Sequence, residues 1–246
     1  MKILTFNAQI GVGGTNIFNF LLLQPVYLLP HSHKKLREFG QMLKTEEIDI
    51  TTLTEIEGKS WRSGWRNQVE EIQKETNLKY NHFFPVKQLK WPFQIINEGN
   101  AILSKYPIQK SSNYALPAKV EPRFLGQSTI DMNGKEIDVF VTHLSLGQYS
   151  RKLQLEKIAQ ILGNCKKPFI LTGDFNEKNT DNLKKALGDL QGLSNSYNHN
   201  TAPSWNPSRP LDLILLSKEF RVKENYVIKD PKFSDHLPLI SEVYLK

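Results

Sequence analysis

Short apolar runs in this chain end, again and again, on an acid, an amide or a histidine. "ILTF" meets Asn7, "ITTLT" meets Glu55, "VFVT" meets His143, and "FILTG" meets Asp174 with Asn176 two residues on. Asp212 opens "LDLILL", and Asp235-His236 precedes "LPLISEV". Runs of this length and composition read as buried strands. Strands that converge in a sheet sandwich bring their ends to one rim, a common place for a site on a rigid scaffold. Each residue also has a plain reading. Asn7 is a good turn residue, Asp174 and Asn176 suit a turn after a strand, His143 suits a hydrogen-bonded sheet edge, and Asp235 suits a cap. Taken together, these positions beside core-like strands favour a shared site.

The intervening segments set the fold class. "KKLREFGQMLKTEE" places Leu36, Phe39 and Leu43 on one helical face, and "WRNQVEEIQKETN" does the same with Trp65, Val69 and Ile72. "SRKLQLEKIAQIL" is a third amphipathic helix. "YNHFFPV", "NAILSKYPI" and "FLGQSTIDMNGKEIDVFVTHL" read as strands, and Asn133-Gly134 between two alternating runs marks a hairpin. The order is strand, helix, strand, helix, then mostly strands with one more helix: α+β or α/β, not an alternating parallel barrel. No repeat and no Gly/Ser- or Pro-rich linker divides the chain, so residues 1–246 are expected to form a single domain.

Composition narrows the chemistry. One cysteine, Cys165, excludes an intramolecular disulfide and a thiolate zinc cluster. A formal charge of +7 favours anionic partners such as nucleic acid, lipid headgroups or phosphorylated small molecules. The N-terminus lacks the uninterrupted apolar region of a signal peptide. The most apolar stretch, 16–30, is broken by Asn19, Gln24 and Pro25 and is too short to span a bilayer, so a cytoplasmic location is expected. The strand-end residues offer carboxylate and amide oxygens, hard ligands suited to Mg²⁺ or Mn²⁺. A phosphoester hydrolase needs such a cation, a base for water and a donor facing the developing charge.

The segments "FNAQ", "LTEIE", "GNAILSKYPI", "VTHLSLG", "LTGDFN", "LDLIL" and "SDHLPL", in this order from Lys2 to Leu239, resemble the endonuclease/exonuclease/phosphatase superfamily. "WRSGWRNQVEEI" and "PSWNPSRPLD" further resemble uncharacterised bacterial members. The resemblance implies a DNase-I-like four-layer α/β/β/α sandwich of two mixed β-sheets flanked by helices, and Mg²⁺-dependent hydrolysis of phosphoesters, with Mn²⁺ as a substitute. It implies Glu55 as the main metal ligand, with Asn7 and Asp235 supporting the metal or its waters, and Glu57 as a weaker rival. Asp174 would align or activate water, Asn176 would hold a phosphoryl oxygen, and Gly173 would let the chain turn. His236 would contact the phosphate with Asp212 as its partner, and His143 would act as a donor on the opposite side. Asn100, Arg123 and Arg209 are candidate substrate contacts. Thr54 replaces a common Gln, and Leu213 a common aromatic residue; neither removes a chemical group.

The substrate stays open between three classes. A nuclease or general phosphodiesterase is favoured by the charge. Trp61, Trp65, Trp91 and Trp205 near basic residues would grip a polyanion, although they read first as packing residues. A lipid-headgroup or inositol-phosphate hydrolase would use segment 16–30 as an apolar lid against an anionic membrane, although the segment reads equally as a packed loop. A catalytically silent binding module is disfavoured because every expected group is present. The sequence points to no obligate protein partner.

Overall fold

The structure is a computed structural model that describes residues 1–14, 16–18, 29–30, 32–188, 190, 196 and 198–246. Two parallel strand pairs organise it. β1 (Lys2–Asn7) pairs in parallel with β2 (Ile50–Glu57), and β7 (Lys135–His143) with β8 (Phe169–Asp174). A parallel pair needs a long crossover, usually helical. Here α1 (Lys34–Thr45) lies between the first two strands and α3 (Gln148–Gly163) between the second two. Each crossover returns the chain to the same end of the sheet, so both strands of a pair finish at one rim.

The remaining strands are β3 (Tyr80–Leu89), β4 (Ile96–Ser104), β5 (Ile108–Leu116), β6 (Arg123–Met132), β9 (Asp212–Leu216), β10 (Phe220–Val227) and β11 (Leu239–Leu245). They pair antiparallel around those two units. One sheet runs β10-β11-β1-β2-β4-β3 and the other β5-β6-β7-β8-β9. Three apolar layers hold them. Ile3, Ile50, Ile102, Val139, Ile170 and Ile214 fill the space between the sheets. Leu36, Phe39, Leu43, Val69 and Ile72 pack α1 and α2 (Gln68–Gln73) on the outside of the first sheet. Leu155, Ile158 and Leu183 pack α3 and α4 (Thr180–Leu187) on the second. This is the α+β sandwich of two mixed sheets flanked by helices that the resemblance implied.

Some local expectations change. Trp65 is not helical: Asn67 caps α2, its side chain accepting from the Val69 N–H at 3.1 Å, and Trp65 sits before the cap with φ 62°. "NAILSKYPI" is two strands, because the chain turns at 105–107. β5, β10 and α4 appear in stretches that carried no strong pattern. β5 is an edge strand with mostly solvated residues, so it lacks the alternation of a half-buried strand. Gly173 does not turn the chain. It lies inside β8, paired with Thr142 and Leu213, at φ 129°, and a Cβ there would stand 1.9 Å from the Thr142 carbonyl oxygen. The Asn133-Gly134 hairpin is present, with both residues in the left-handed region at φ 56° and 91°. Residues 19–28 of the expected lid lie outside the described residues; Ile17, Phe18 and Leu29 at its ends are exposed. Among the described residues, no helix is long and apolar enough to cross a membrane.

Candidate active site

The inward faces of the central strands carry a three-step ladder. On β1 it reads Ile3, Thr5, Asn7; on β8, Ile170, Thr172, Asp174. On β2, Ile50 and Thr52 occupy the first two steps. Alternate residues share a face, so each ladder climbs from the inter-sheet core through buried threonines to the rim. The threonine step joins the sheets directly, since the Thr52 and Thr172 hydroxyls lie 2.9 Å apart.

β2 would place Thr54, not Glu55, on the third step. A β-bulge changes this. Leu53 faces Ala101 and Ile56 faces Gly99, so Thr54 and Glu55 together oppose the single residue Asn100. Leu53 and Ile56 both enter the same helix-side core although they are three apart, which an unbroken strand forbids. Glu55 is the inserted residue and takes φ 49°. The bulge turns an otherwise outward carboxylate toward the rim, a common use of bulges beside sites.

At the rim the residues form a continuous network. The Asn7 amide Nδ2 donates to Glu55 Oε1 at 3.0 Å and to Asp174 Oδ2 at 3.2 Å, while its Oδ1 accepts from the Gln9 N–H. Asp174 Oδ2 lies 3.7 Å from His143 Nε2 and 3.9 Å from His236 Nε2. Asp174 Oδ1 accepts the Asn176 backbone N–H at 2.9 Å, which closes an Asx turn and sets Asn176 at φ 50°. The turn expected of Gly-Asp-x-Asn is therefore present, and it lies within the candidate site. The Asn176 side-chain amide donates to the Leu144 carbonyl at 2.9 Å and meets His143 Nε2 at 3.2 Å. His143 Nδ1 faces Glu55 Oε1 at 3.7 Å. His236 Nδ1 meets Asp212 Oδ2 at 2.7 Å, and that oxygen also accepts from the Thr201 hydroxyl at 2.6 Å.

The two histidines are held in opposite states. Burial, aided by the Arg123 charge, pushes His143 down to about 4, so it is neutral at neutral pH. Burial also acts against charge on His236, but Asp212, Asp174 and Asp235 outweigh it and push the group up to about 10, so it is an imidazolium. Glu55 is pushed up to about 8 by burial and by the charges of Glu98 and Asp235. Asp235 is itself raised, chiefly by burial. Carboxylates that resist ionisation together mark a place of surplus negative charge, and the donors around them are oxygens. That chemistry fits a hard divalent cation. Asp174, Asp212 and His236 also offer atoms within 4.8 Å of one another.

Glu57 has a different fate from the one weighed for it. It is fully buried, both its oxygens are bonded, and Arg62 clamps it. Asn100 is buried opposite the bulge, and its Nδ2 has no hydrogen-bond partner among the described residues. Arg123 is near enough for its charge to act on His143, and it pairs with Glu121 at 3.1 Å. Arg209 bonds to Ala202 through its backbone, and among the described residues its guanidinium makes no ion pair or side-chain hydrogen bond. The sequence reading missed Thr201 and Ser234. The Ser234 hydroxyl donates to the Asn7 carbonyl at 2.7 Å and accepts the His236 N–H at 2.9 Å, tying the approach to β11 onto β1. It also missed Glu98, and the Thr52–Thr172 contact whose signal is the repeated Ile-x-Thr-x-polar spacing.

The family model of the endonuclease/exonuclease/phosphatase family matches residues 4–236. The uncharacterised protein YbhP of Escherichia coli is 25% identical over 272 aligned positions, covering 99% of this chain and 96% of that protein. A family protein from Leptotrichia buccalis superposes with a TM-score of 0.74 at 21% identity, covering 100% of both chains. A mannosyl-6-phosphatase from Bacteroides thetaiotaomicron superposes at 0.71 with 19% identity, again over 100% of both chains.

Proposed function

The chain belongs to the endonuclease/exonuclease/phosphatase family, a family of phosphoester hydrolases, and from that premise we propose that it is a divalent-metal-dependent phosphodiesterase that directs water onto phosphorus. The observation that carries this reading is Asp174 Oδ2, set between two imidazoles at 3.7 and 3.9 Å and fixed by the Asn7 amide at 3.2 Å.

Asp174 is the base. Its Oδ2 removes a proton from water as that water attacks, and the Asx turn through Oδ1 keeps the carboxylate from rotating. His236 keeps its charge through the reaction because Asp212 holds Nδ1. Its Nε2–H therefore faces the site as a donor to a phosphoryl oxygen on which charge builds. His143 stays neutral. With Asn176 donating to Nε2, its proton sits on Nδ1, which faces Glu55 at 3.7 Å, and the Nε2 bond fixes the Asn176 amide. Glu55 and Asp235 would hold Mg²⁺ or Mn²⁺, while Asn7, which turns its Nδ2 rather than an oxygen toward them, orients the Glu55 carboxylate. Bound there, the cation supplies positive charge to the phosphoryl oxygens. Asp212 and His236 are a poorer cation site, because the bond between them already occupies both facing atoms.

The test is hydrolysis of bis(p-nitrophenyl) phosphate. We expect activity with Mg²⁺ or Mn²⁺, loss with EDTA, recovery on adding back metal, and loss in Asp174→Asn. Undiminished turnover in EDTA or in Asp174→Asn contradicts the reading. The net charge of +7 supports nucleic acid as one class of diester, testable with plasmid and single-stranded DNA in the same assay.

A further inference from the structure

Beside the rim, the loop after β2 and the tip of the β3–β4 hairpin present one aromatic platform. The Trp61 and Phe93 ring centroids are 5.8 Å apart, and those of Trp65 and Phe93 are 5.7 Å apart. Trp91 at the hairpin tip is 82% exposed, and Trp61, Trp65, Phe93 and Leu89 are exposed with it. The tryptophans expected to be packing residues are therefore mostly on the surface. The two segments are joined by Trp61 N–H to the Gln94 carbonyl at 2.8 Å and Arg62 N–H to the Ile95 carbonyl at 3.2 Å.

The display is maintained against backbone preference. Gly64 and Trp65 are both left-handed, at φ 61° and 62°, a conformation that is uncommon for a bulky residue. Trp65 N–H holds it by donating to the Ser60 carbonyl at 2.7 Å. Single exposed apolar side chains are ordinary, but a contiguous group is not. Lys59, Arg66 and Lys90 flank the group, exposed and without a salt bridge among the described residues. Arg62, from the same loop, clamps Glu57 and Glu98 next to the Glu55 bulge, so the platform borders the candidate active site.

Composition and geometry select the occupant. Single-stranded nucleic acid would use ring faces as stacking surfaces, but here the rings are tilted by 52° and 55° to Phe93, and Leu89 offers no face to a base. Tryptophan and leucine at a protruding tip, with cations around them, suit the boundary of an anionic bilayer, where rings sit at the headgroup level and lysines meet phosphate. We propose that this platform seats the protein on an anionic phospholipid surface and presents the rim to lipid-borne phosphoesters. The second half rests on the phosphodiesterase reading; the first does not.

The experiment is sedimentation with vesicles of phosphatidylcholine mixed with phosphatidylglycerol, alongside bis(p-nitrophenyl) phosphate hydrolysis in solution. The wild type should bind the mixed vesicles. Trp91→Ser should weaken that binding by about tenfold or more while leaving solution hydrolysis unchanged, since interfacial affinity scales with the apolar area buried. The double variant W61S/W65S should weaken it further. If that double variant misfolds, the exposed Trp91 position still decides. Lys90→Glu should weaken binding to mixed vesicles but not to phosphatidylcholine alone. Absence of vesicle binding by the wild type overturns the proposal, as does full binding by Trp91→Ser. A loss in these variants seen only with a single-stranded oligonucleotide also overturns it, in favour of nucleic acid. If the wild type binds vesicles through Trp91 yet hydrolyses no diester, the platform stands and the phosphodiesterase reading fails.

Discussion

Glu55 and Glu57 leave the same strand two residues apart, yet their surroundings differ in every respect that matters to a carboxylate. Glu57 is buried and neutralised. Its Oε1 accepts from the Ser60 hydroxyl and the Asn97 N–H, each at 2.6 Å, and its Oε2 meets Arg62, whose Nε lies at 3.0 Å. Among the described residues Glu55 has one hydrogen-bond donor, the Asn7 amide at 3.0 Å, and the negative charges of Glu98 and Asp235 act on it more strongly than the positive charge of His236. Only Glu55 occupies the bulge. A carboxylate whose partners are all in place has no need of a cation, whereas one held beside its own kind does. The difference teaches that the strand end builds a clamp and a candidate cation site from the same type of side chain by making one of the two glutamates the inserted residue of a bulge.

The largest effect expected from breaking this contrast is on stability. Glu57→Gln removes one member of a buried ion pair and should cost about 3–5 kcal/mol, read from urea unfolding. Glu55→Gln replaces a carboxyl that burial and neighbouring charge already hold up at about 8, and should leave the unfolding midpoint of the metal-free protein unchanged or raised. A more damaging Glu55→Gln would reverse the assignment of the two carboxylates.

Next come the residues proposed to act on the substrate at the Glu55 side of the contrast. Asp174→Asn and His236→Ala should each lower kcat by about a hundredfold or more, equivalent to about 2.7 kcal/mol, with circular dichroism unchanged. Turnover near the wild-type rate in either variant removes that residue from the mechanism.

The smallest effect is in pH. Because Glu55 is held up at about 8 without metal, it carries a proton at neutral pH that a cation must displace. Mg²⁺ affinity should therefore rise with pH by up to about tenfold per unit below 8 and level off above it. The sign is fixed by the raised value: the proton, not the cation, is favoured at low pH. A flat profile, or one that falls with rising pH, argues that another group holds the metal.

Much of the site was legible in the sequence because most of its members obey strand alternation. Asn7, His143, Asp174 and Asp212 stand at strand ends, and β-sheet register alone brings Asp174 opposite both His143 and Asp212. The Asx turn at Asp174 was legible as a turn for the same chemical reason that it serves the site. The choice between Glu55 and Glu57 was not legible from alternation, which puts both on one face; only the bulge opposite Asn100 separates them. Arg62 as a clamp needed the loop after β2 to fold back by five residues, which no local pattern announces. The tryptophans misled because aromatic residues are usually interior, and nothing in "WRSGWR" signals the two left-handed residues that turn Trp65 outward.

Calorimetric titration of Mg²⁺ or Mn²⁺ into the wild type, Glu55→Gln and Glu57→Gln tests the central claim most directly, that the inserted glutamate is the cation ligand and its neighbour is structural. The account predicts binding by the wild type, no measurable binding by Glu55→Gln in a folded protein, and retained binding by Glu57→Gln at a temperature where it remains folded. Retained binding in Glu55→Gln together with loss in folded Glu57→Gln would contradict it.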